Sequence, residues 1–295
     1  MKFKQPNGEI EITEFQGKLI KRFQAVKNMF TILKPNSVIQ DIHLEYPLEL
    51  KSRWGFGQPV HPRLNEIIEK RRAFYKYFLT DIEDLEAFKD FKWNNGWFNG
   101  IDVIALYRIL RLEDFKRFIE VGSGITTMIA RQSIVDNGLQ TKILTIDPFP
   151  ERVPQGVADE FRKERFENID PEFFKTVGEG DILFVDNSHY CLQNSDATVM
   201  FTEALQNIQV GAVVHFHDIF LPYDYPPEFH YRVFTEQYPL ACWLLAGDKF
   251  EVIMPNMFVS LDEELSALYE PFVTRYNPVG FEPCGASFYI QKVKE

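Results

Sequence analysis

An α/β fold built on a mostly parallel sheet is predicted for this chain of 295 residues. Two observations predict it. From about Trp97 onward, short apolar runs alternate with amphipathic stretches, the pattern of successive βαβ units. Within that region 116–121 (KRFIEV) leads into Gly122-Ser123-Gly124 and then a helical stretch, a strand–turn–helix sequence. At 45% apolar and 25% charged residues the chain can bury a sizeable core, which excludes disorder as its main state.

The elements follow in order. Residues 1–95 form an accessory or cap region, mainly helical or irregular, and 96–295 the principal domain. The first region holds a helical pattern over 64–79, and its loop RWGFGQPVHP at 53–62 is punctuated by Gly and Pro. The first sheet strand is 116–121. A helix at 126–137 leads to strand 142–147 (KILTID). A short helix at 171–176 leads to strand 181–186 (DILFVD). A helix at 195–208 leads to strand 211–217 (GAVVHFH). The next helix is expected over 227–246, broken before Pro239. Strands at 249–254 and 286–293 (ASFYIQKV) close the chain around a helix at 261–269.

Charge and cysteine content exclude several classes. With 43 acidic against 32 basic residues the average surface repels phosphate backbones, so nucleic acid is not an expected partner. Cys191, Cys242 and Cys284 are far apart and show no CxxC spacing, which points to a reducing compartment. The first residues lack the apolar stretch of a secretory signal, and no apolar run reaches the ~18 residues of a bilayer span. A cytoplasmic protein without a membrane partner is expected. The 44 aromatic residues are mostly core material. Trp54, Phe56, Trp97, Phe98, Phe220, Tyr223 and Tyr225 fall in loops expected to surround the site, whereas Phe118, Phe184 and Phe288 sit in strands and pack.

Three clusters carry chemistry. The turn 120–127 (EVGSGITT) stands between a strand and a helix, where glycine allows close backbone approach and the helix offers free N–H groups. Thr127 replaces the third glycine of the dinucleotide fingerprint, which counts against a nicotinamide enzyme. Asp147, ending the next strand, suits the two hydroxyls of a ribose. At the ends of two further strands stand Asp186-Asn187-Ser188-His189 and His215-Phe216-His217-Asp218. Ligands of open parallel sheets bind outside the carboxyl ends of the strands, where these clusters lie. His189 is a candidate general base, because imidazole titrates near neutral pH. Asp186 and Asp218 suit Mg2+, which takes carboxylate and water oxygens. His215 and His217 share a face, so one of them is a candidate core histidine.

These residues resemble a known family. EVGSG at 120–124, IDPFP at 146–150, DILFVDNSH at 181–189 and VHFHDIFLPYDYP at 214–226 look like class I S-adenosylmethionine-dependent methyltransferases. More narrowly, they are similar to the bacterial branch with D-x-S-H and H-F-H-D-I strand ends. The resemblance covers about Trp97 to the C-terminus. It implies a Rossmann-like methyltransferase fold, a seven-stranded sheet of order 3-2-1-4-5-7-6 with the seventh strand antiparallel. It also implies S-adenosylmethionine as cofactor, held by Glu120, Gly122, Ser123, Gly124, Thr126, Asp147 and Asp186. Glu120 and the two glycines would surround its methionine part, and Asp147 its ribose. The segment 165–169 (RFENI) would be the third strand and its exit loop, with Glu167 or Asn168 at the adenine. Trp97, Phe98 and the helix 101–110 would fold over the cofactor.

The resemblance implies methyl transfer to an oxygen or nitrogen of a small-molecule acceptor, with His189, Asp186, Asp218 and His217 as catalytic residues. In metal-dependent relatives acids at the positions of Asp186 and Asp218 bind the cation; here the third ligand of that pattern is absent. Residues 1–95 and the loop 220–229 would cover the acceptor. A homo-oligomer is compatible with the sequence. Two rival readings stand beside it: a nicotinamide-linked oxidoreductase, and a non-catalytic cofactor-binding protein on the same fold.

Overall fold

The computed structural model describes residues 2–5, 8–11, 49–80, 88, 90–93, 95–149, 153, 155–276, 280 and 282–295. Much of the expected region 1–95 therefore lies outside the described residues. Near the N-terminus β1 (Lys2–Gln5) and β2 (Gly8–Glu11) pair as an antiparallel hairpin. Residues 50–295 form a separate compact unit.

The helical pattern at 64–79 resolves into α1 (Pro62–Glu69) and α2 (Arg72–Leu79). Pro62 opens α1, where its missing N–H loses no helical bond, and His61 Nδ1 accepts from the Leu64 N–H. Next comes α3 (Gly100–Glu113). Its residues 100–110 are all buried, as a helix apolar nearly all round should be, and it packs beside α4 (Ile125–Asp136). It is a core helix that lines no part of the cavity described below; Trp97 and Phe98 just before it do, and its Asp102 stands beside His217.

The sheet contains β3 (Arg117–Val121), β4 (Lys142–Ile146), β5 (Glu160–Arg162), β6 (Asp181–Val185), β7 (Val213–Phe216), β8 (Phe250–Pro255) and β9 (Phe288–Lys292). Its order is β5-β4-β3-β6-β7-β9-β8. The first five strands run parallel, and β9 is antiparallel to both β7 and β8. Counted along the sheet alone this is the order 3-2-1-4-5-7-6, the Rossmann-like methyltransferase arrangement. Every residue of β6 and β7 is buried, because helices cover both faces of a parallel sheet. Phe118, Phe184 and Phe288 are buried there.

Three expected elements differ. The third strand is β5 at 160–162, not 165–169; Phe166–Asn168 is a 3-10 turn. Phe166 and Ile169 are both buried three residues apart, a helical spacing, whereas β5 is a three-residue edge strand with Phe161 37% exposed. The helix expected at 261–269 is instead a helix at Asn256–Leu261 followed by short turns up to Tyr276, because Asp262 accepts from the N–H groups of Glu264 and Leu265 and caps a new start. The helix expected at 227–246 divides into a 3-10 segment, Pro227–Arg232, and α5 (Gln237–Ala246). Pro239 does not break a helix; it sits in the first turn of one, where the N–H it lacks has no partner anyway. The break moves upstream to 233–236, with Val233 in the left-handed region at φ 56°. Between β6 and β7, Asp196–Val199 and Leu205–Asn207 are α-helical and Met200–Ala204 is π-helical.

Candidate active site

At the carboxyl ends of β3, β4, β6 and β7 lies a cavity of about 560 Å³. Gly122, Ser123, Gly124, Thr126, Asp147, Asp186, His189, His217 and Asp218 line it, joined by Gly96, Trp97 and Phe98 from the segment before α3. Phe229 and Arg232 complete it from the loop after β7. The expected site residues are thus brought together, with the exception of Glu120.

The glycine turn depends on a close approach. Gly122 has φ +84°, and a Cβ there would stand 2.4 Å from the carbonyl oxygen of Asp186. A side chain would push apart the two strand ends that form the floor. At Gly124 a Cβ would meet no protein atom within 4 Å, so this backbone is open for a ligand to approach. Asp147 Oδ2 accepts from the Ser123 N–H at 2.8 Å and its hydroxyl at 2.6 Å, while Oδ1 accepts from the Phe149 N–H at 2.7 Å. A carboxylate has about four acceptor positions, so Oδ1 keeps one for a ligand hydroxyl.

Glu120 is fully buried and does not line the cavity. Its oxygens accept from the Thr126 and Thr127 hydroxyls at 2.5 and 2.6 Å. Burial pushes its carboxyl up to about 8, against the opposing pull of those two hydroxyls. Glu120 thus ties the first turn of α4 to β3. Thr127, standing where a third glycine was absent, is part of that tie.

The two Asp/His clusters converge. The Asn187 side chain accepts from the His189 N–H at 3.0 Å, and His189 adopts φ 64°, which folds its ring back toward the β6 end. His189 Nε2 lies 3.6 Å from both Asp186 Oδ1 and Asp218 Oδ2. His217 Nδ1 lies 3.7 Å from an oxygen of each of the same two acids. Burial pushes the Asp186 carboxyl up, but the His217 and His189 rings outweigh it and hold the group at about 2. Asp186 is 38% exposed at the side chain and faces the cavity as a carboxylate.

Two buried acids that the sequence did not single out complete the group. Glu236, 1% exposed, accepts from His189 Nδ1 at 2.9 Å. Burial alone would lower the His189 pKa; the carboxylates of Glu236, Asp218 and Asp186 outweigh it and raise the pKa above the ordinary imidazole value. Burial raises Glu236 as well, with His189 opposing. Asp102 on α3 stands 3.6 Å from His217 Nε2 and accepts from the backbone N–H groups of Ala286 and Ser287. Burial disfavours charge on His217, yet Asp218, Asp186 and Asp102 around it raise its pKa well above the usual range. A lone acid in the apolar run of α3 is a readable sign of a buried polar partner. Glu236 offers no such sign, since 47 residues separate it from His189.

His215 is the core histidine of the pair. Its ring stacks on Phe184 at 3.6 Å and 8°, and neither nitrogen has a partner among the described residues. Burial, reinforced by the charge on His217, lowers its pKa well below the usual value. Of the aromatic residues expected around the site, only Trp97 and Phe98 line the cavity. Phe220 and Tyr225 instead build a satellite core with Phe234 and Met257, and Phe56 packs on Tyr223.

The residues do not fit Mg2+. That ion takes near-octahedral oxygen ligands, and Asp186 and Asp218 each stand between two imidazoles with no third acid beside them. Among the described residues no group of three or more His, Cys, Asp or Glu is arranged to hold a metal ion. No described helix is long and apolar enough to cross a membrane. S-adenosylmethionine fits better: the open backbone at Gly124, the spare acceptor on Asp147 and the ionised Asp186 line one cavity.

No curated protein matches the chain. Solved structures similar to it include the O-methyltransferase TomG from Streptomyces achromogenes, involved in tomaymycin synthesis, in complex with S-adenosylmethionine. It is 14% identical, covering 79% of this chain and 99% of that one, with TM-score 0.38. The S-adenosylhomocysteine-bound methyltransferase PaMTH1 of Podospora anserina is 13% identical over 97% of this chain and 100% of that one, TM-score 0.40. An O-methyltransferase from Bacillus cereus in complex with S-adenosylhomocysteine is 11% identical over 81% and 94%, TM-score 0.39. Residues 119–219, which run from β3 to just past β7, match the methyltransferase domain family. That match covers about a third of the chain, and the sheet order around it is that of the Rossmann-like methyltransferase fold.

Proposed function

We propose that the chain methylates an oxygen or nitrogen nucleophile of a small molecule, with His189 as the general base. One observation carries the reading. A single cavity joins the glycine turn and Asp147 on one side to His189 and Asp218 on the other, with Asp186 between them. The bound cofactor supplies an electrophilic methyl group on a sulfonium centre. The chain's own residues do the remaining work. Asp147 and the 122–124 backbone hold the nucleoside and amino-acid parts, and the Asp186 carboxylate faces the positive centre.

His189 Nδ1 donates to Glu236, so the neutral ring presents Nε2 to the cavity as a proton acceptor. An acceptor O–H or N–H placed there gives its proton to Nε2 as the nucleophile attacks in line. Alignment and proton removal are the two contributions a protein makes to such a displacement. Since surrounding carboxylates raise the His189 pKa, the rate should climb with pH through a midpoint above the ordinary ~6.5 of imidazole.

The test separates two roles. His189→Ala should lower turnover by about 10²–10⁴-fold, the range for a lost general base, and leave S-adenosylhomocysteine affinity within about twofold. Asp147→Ala should weaken that affinity, measured by calorimetry, by about tenfold or more. Equal loss of both properties in both variants would refute the division.

A further inference from the structure

We propose that Arg232 recognises an anionic group, a carboxylate or phosphate, on the methyl acceptor. The inference rests on the methyltransferase reading and names the substrate class of that same site. Arg232 ends the 3-10 segment Pro227–Arg232 and lines the cavity beside Phe229. Its guanidinium lies over Phe229 at 4.9 Å and over Phe234 at 5.4 Å. The guanidinium's one hydrogen bond among the described residues runs from Nε to the Tyr231 hydroxyl at 3.2 Å. Aromatic rings against the face of a guanidinium fix its plane and leave the edge donors free, the arrangement suited to a bidentate anion.

Charge points the same way. The carboxylates lining the cavity are Asp147, Asp186 and Asp218, and Arg232 is the permanent cation among its described lining residues. Asp186 faces a positive sulfonium, so an anion on the acceptor has its complement at Arg232. Asn187, also in the lining, holds a buried Nδ2 donor with no partner among the described residues. A buried donor of that kind awaits an acceptor oxygen.

Position separates this anion from the carboxylate of the cofactor itself. The glycine turn follows β3, Arg232 follows β7, and β6 with Asp186 lies between them. Phe234 links Arg232 to the base: the His189 ring is 4.5 Å from Phe234, and the guanidinium is 5.4 Å from it. A hydroxy acid with its nucleophile at His189 Nε2 can therefore carry its anionic group past this one aromatic ring to Arg232.

The experiment uses the S-adenosylhomocysteine-loaded protein and pairs of acids with their neutral esters: 4-hydroxybenzoate against methyl 4-hydroxybenzoate, and 3-hydroxybutyrate against its methyl ester. Binding is read by calorimetry for wild type, Arg232→Gln and Arg232→Lys. At least one acid should bind wild type about tenfold more tightly than its ester. Arg232→Gln should reduce that preference to within about twofold, and Arg232→Lys should keep part of it. S-adenosylhomocysteine affinity should be the same in all three proteins. Equal binding of every acid and ester by wild type, or a preference that survives Arg232→Gln, overturns the proposal. So does a large loss of S-adenosylhomocysteine affinity in Arg232→Gln, which would assign the guanidinium to the cofactor. Failure of wild type to bind S-adenosylhomocysteine would instead refute the methyltransferase reading.

Discussion

Replacing Glu236 with Gln leaves a hydrogen-bond acceptor at His189 Nδ1 but removes its charge. In the native site the bond is 2.9 Å long, and Glu236 is 1% exposed, so solvent screens the pair little. A hydrogen bond to a charged group contributes about 1.5–3 kcal/mol, and a neutral one about 0.5–1.5. The difference, about 1–1.5 kcal/mol, favours the protonated ring only while the carboxylate is present. At 1.36 kcal/mol per pKa unit, Glu236→Gln should lower the His189 midpoint by about one unit. The assay is a ring-nitrogen NMR titration of the S-adenosylhomocysteine complex, with the six histidines sorted by single substitutions. It needs no knowledge of the acceptor. Glu236→Ala should also free the ring to rotate and lower turnover by about tenfold or more, with Glu236→Gln intermediate. A His189 midpoint unmoved by Glu236→Gln would refute the claim that this buried acid sets the base.

Two further outcomes follow from the geometry. Gly122→Ala places a Cβ at φ +84° and 2.4 Å from the Asp186 carbonyl oxygen. The backbone strain alone costs about 1–3 kcal/mol, and each kcal/mol lowers Tm by about 2–4 °C in a unit of this size; calorimetry should show that loss together with weakened S-adenosylhomocysteine binding. His215→Phe should keep activity and lose less stability in acid than wild type, read from denaturation midpoints at pH 5 and pH 7.5. The native ring is held neutral far below its ordinary pKa, so the unfolded chain takes up a proton that the folded one refuses as pH falls below ~6.5. Phe removes that term and two unpartnered nitrogens. Acid sensitivity equal to wild type would count against it.

Most of the sheet was legible in the primary structure, because strands buried on both faces must be continuous apolar runs and glycine turns mark their exits. DILFV and KILTI are such runs, and both became strands within a residue of their expected ends. The third strand was not legible. Only three residues pair there, one of them exposed Phe161, so no periodicity could form; the stronger signal, Phe166 with Ile169, belongs to a turn. At the site, Gly122, Asp147, Asp186, His189, His217 and Asp218 could be named from where they stand on strand ends. The roles of Glu120 and Glu236 could not. Glu120 stands on a strand whose alternation does not say whether its side chain meets a ligand or Thr126 and Thr127. Glu236, at the N-terminus of the helix Gln237–Ala246, meets His189 only through packing, in a stretch where a reading by residue type expects a helix broken before Pro239. The sequence by itself thus determined the α/β sheet and the strand-end chemistry, since burial and turn geometry act on neighbouring residues. Only the tertiary structure decided which acid holds which imidazole, because those pairs join segments that meet through packing alone.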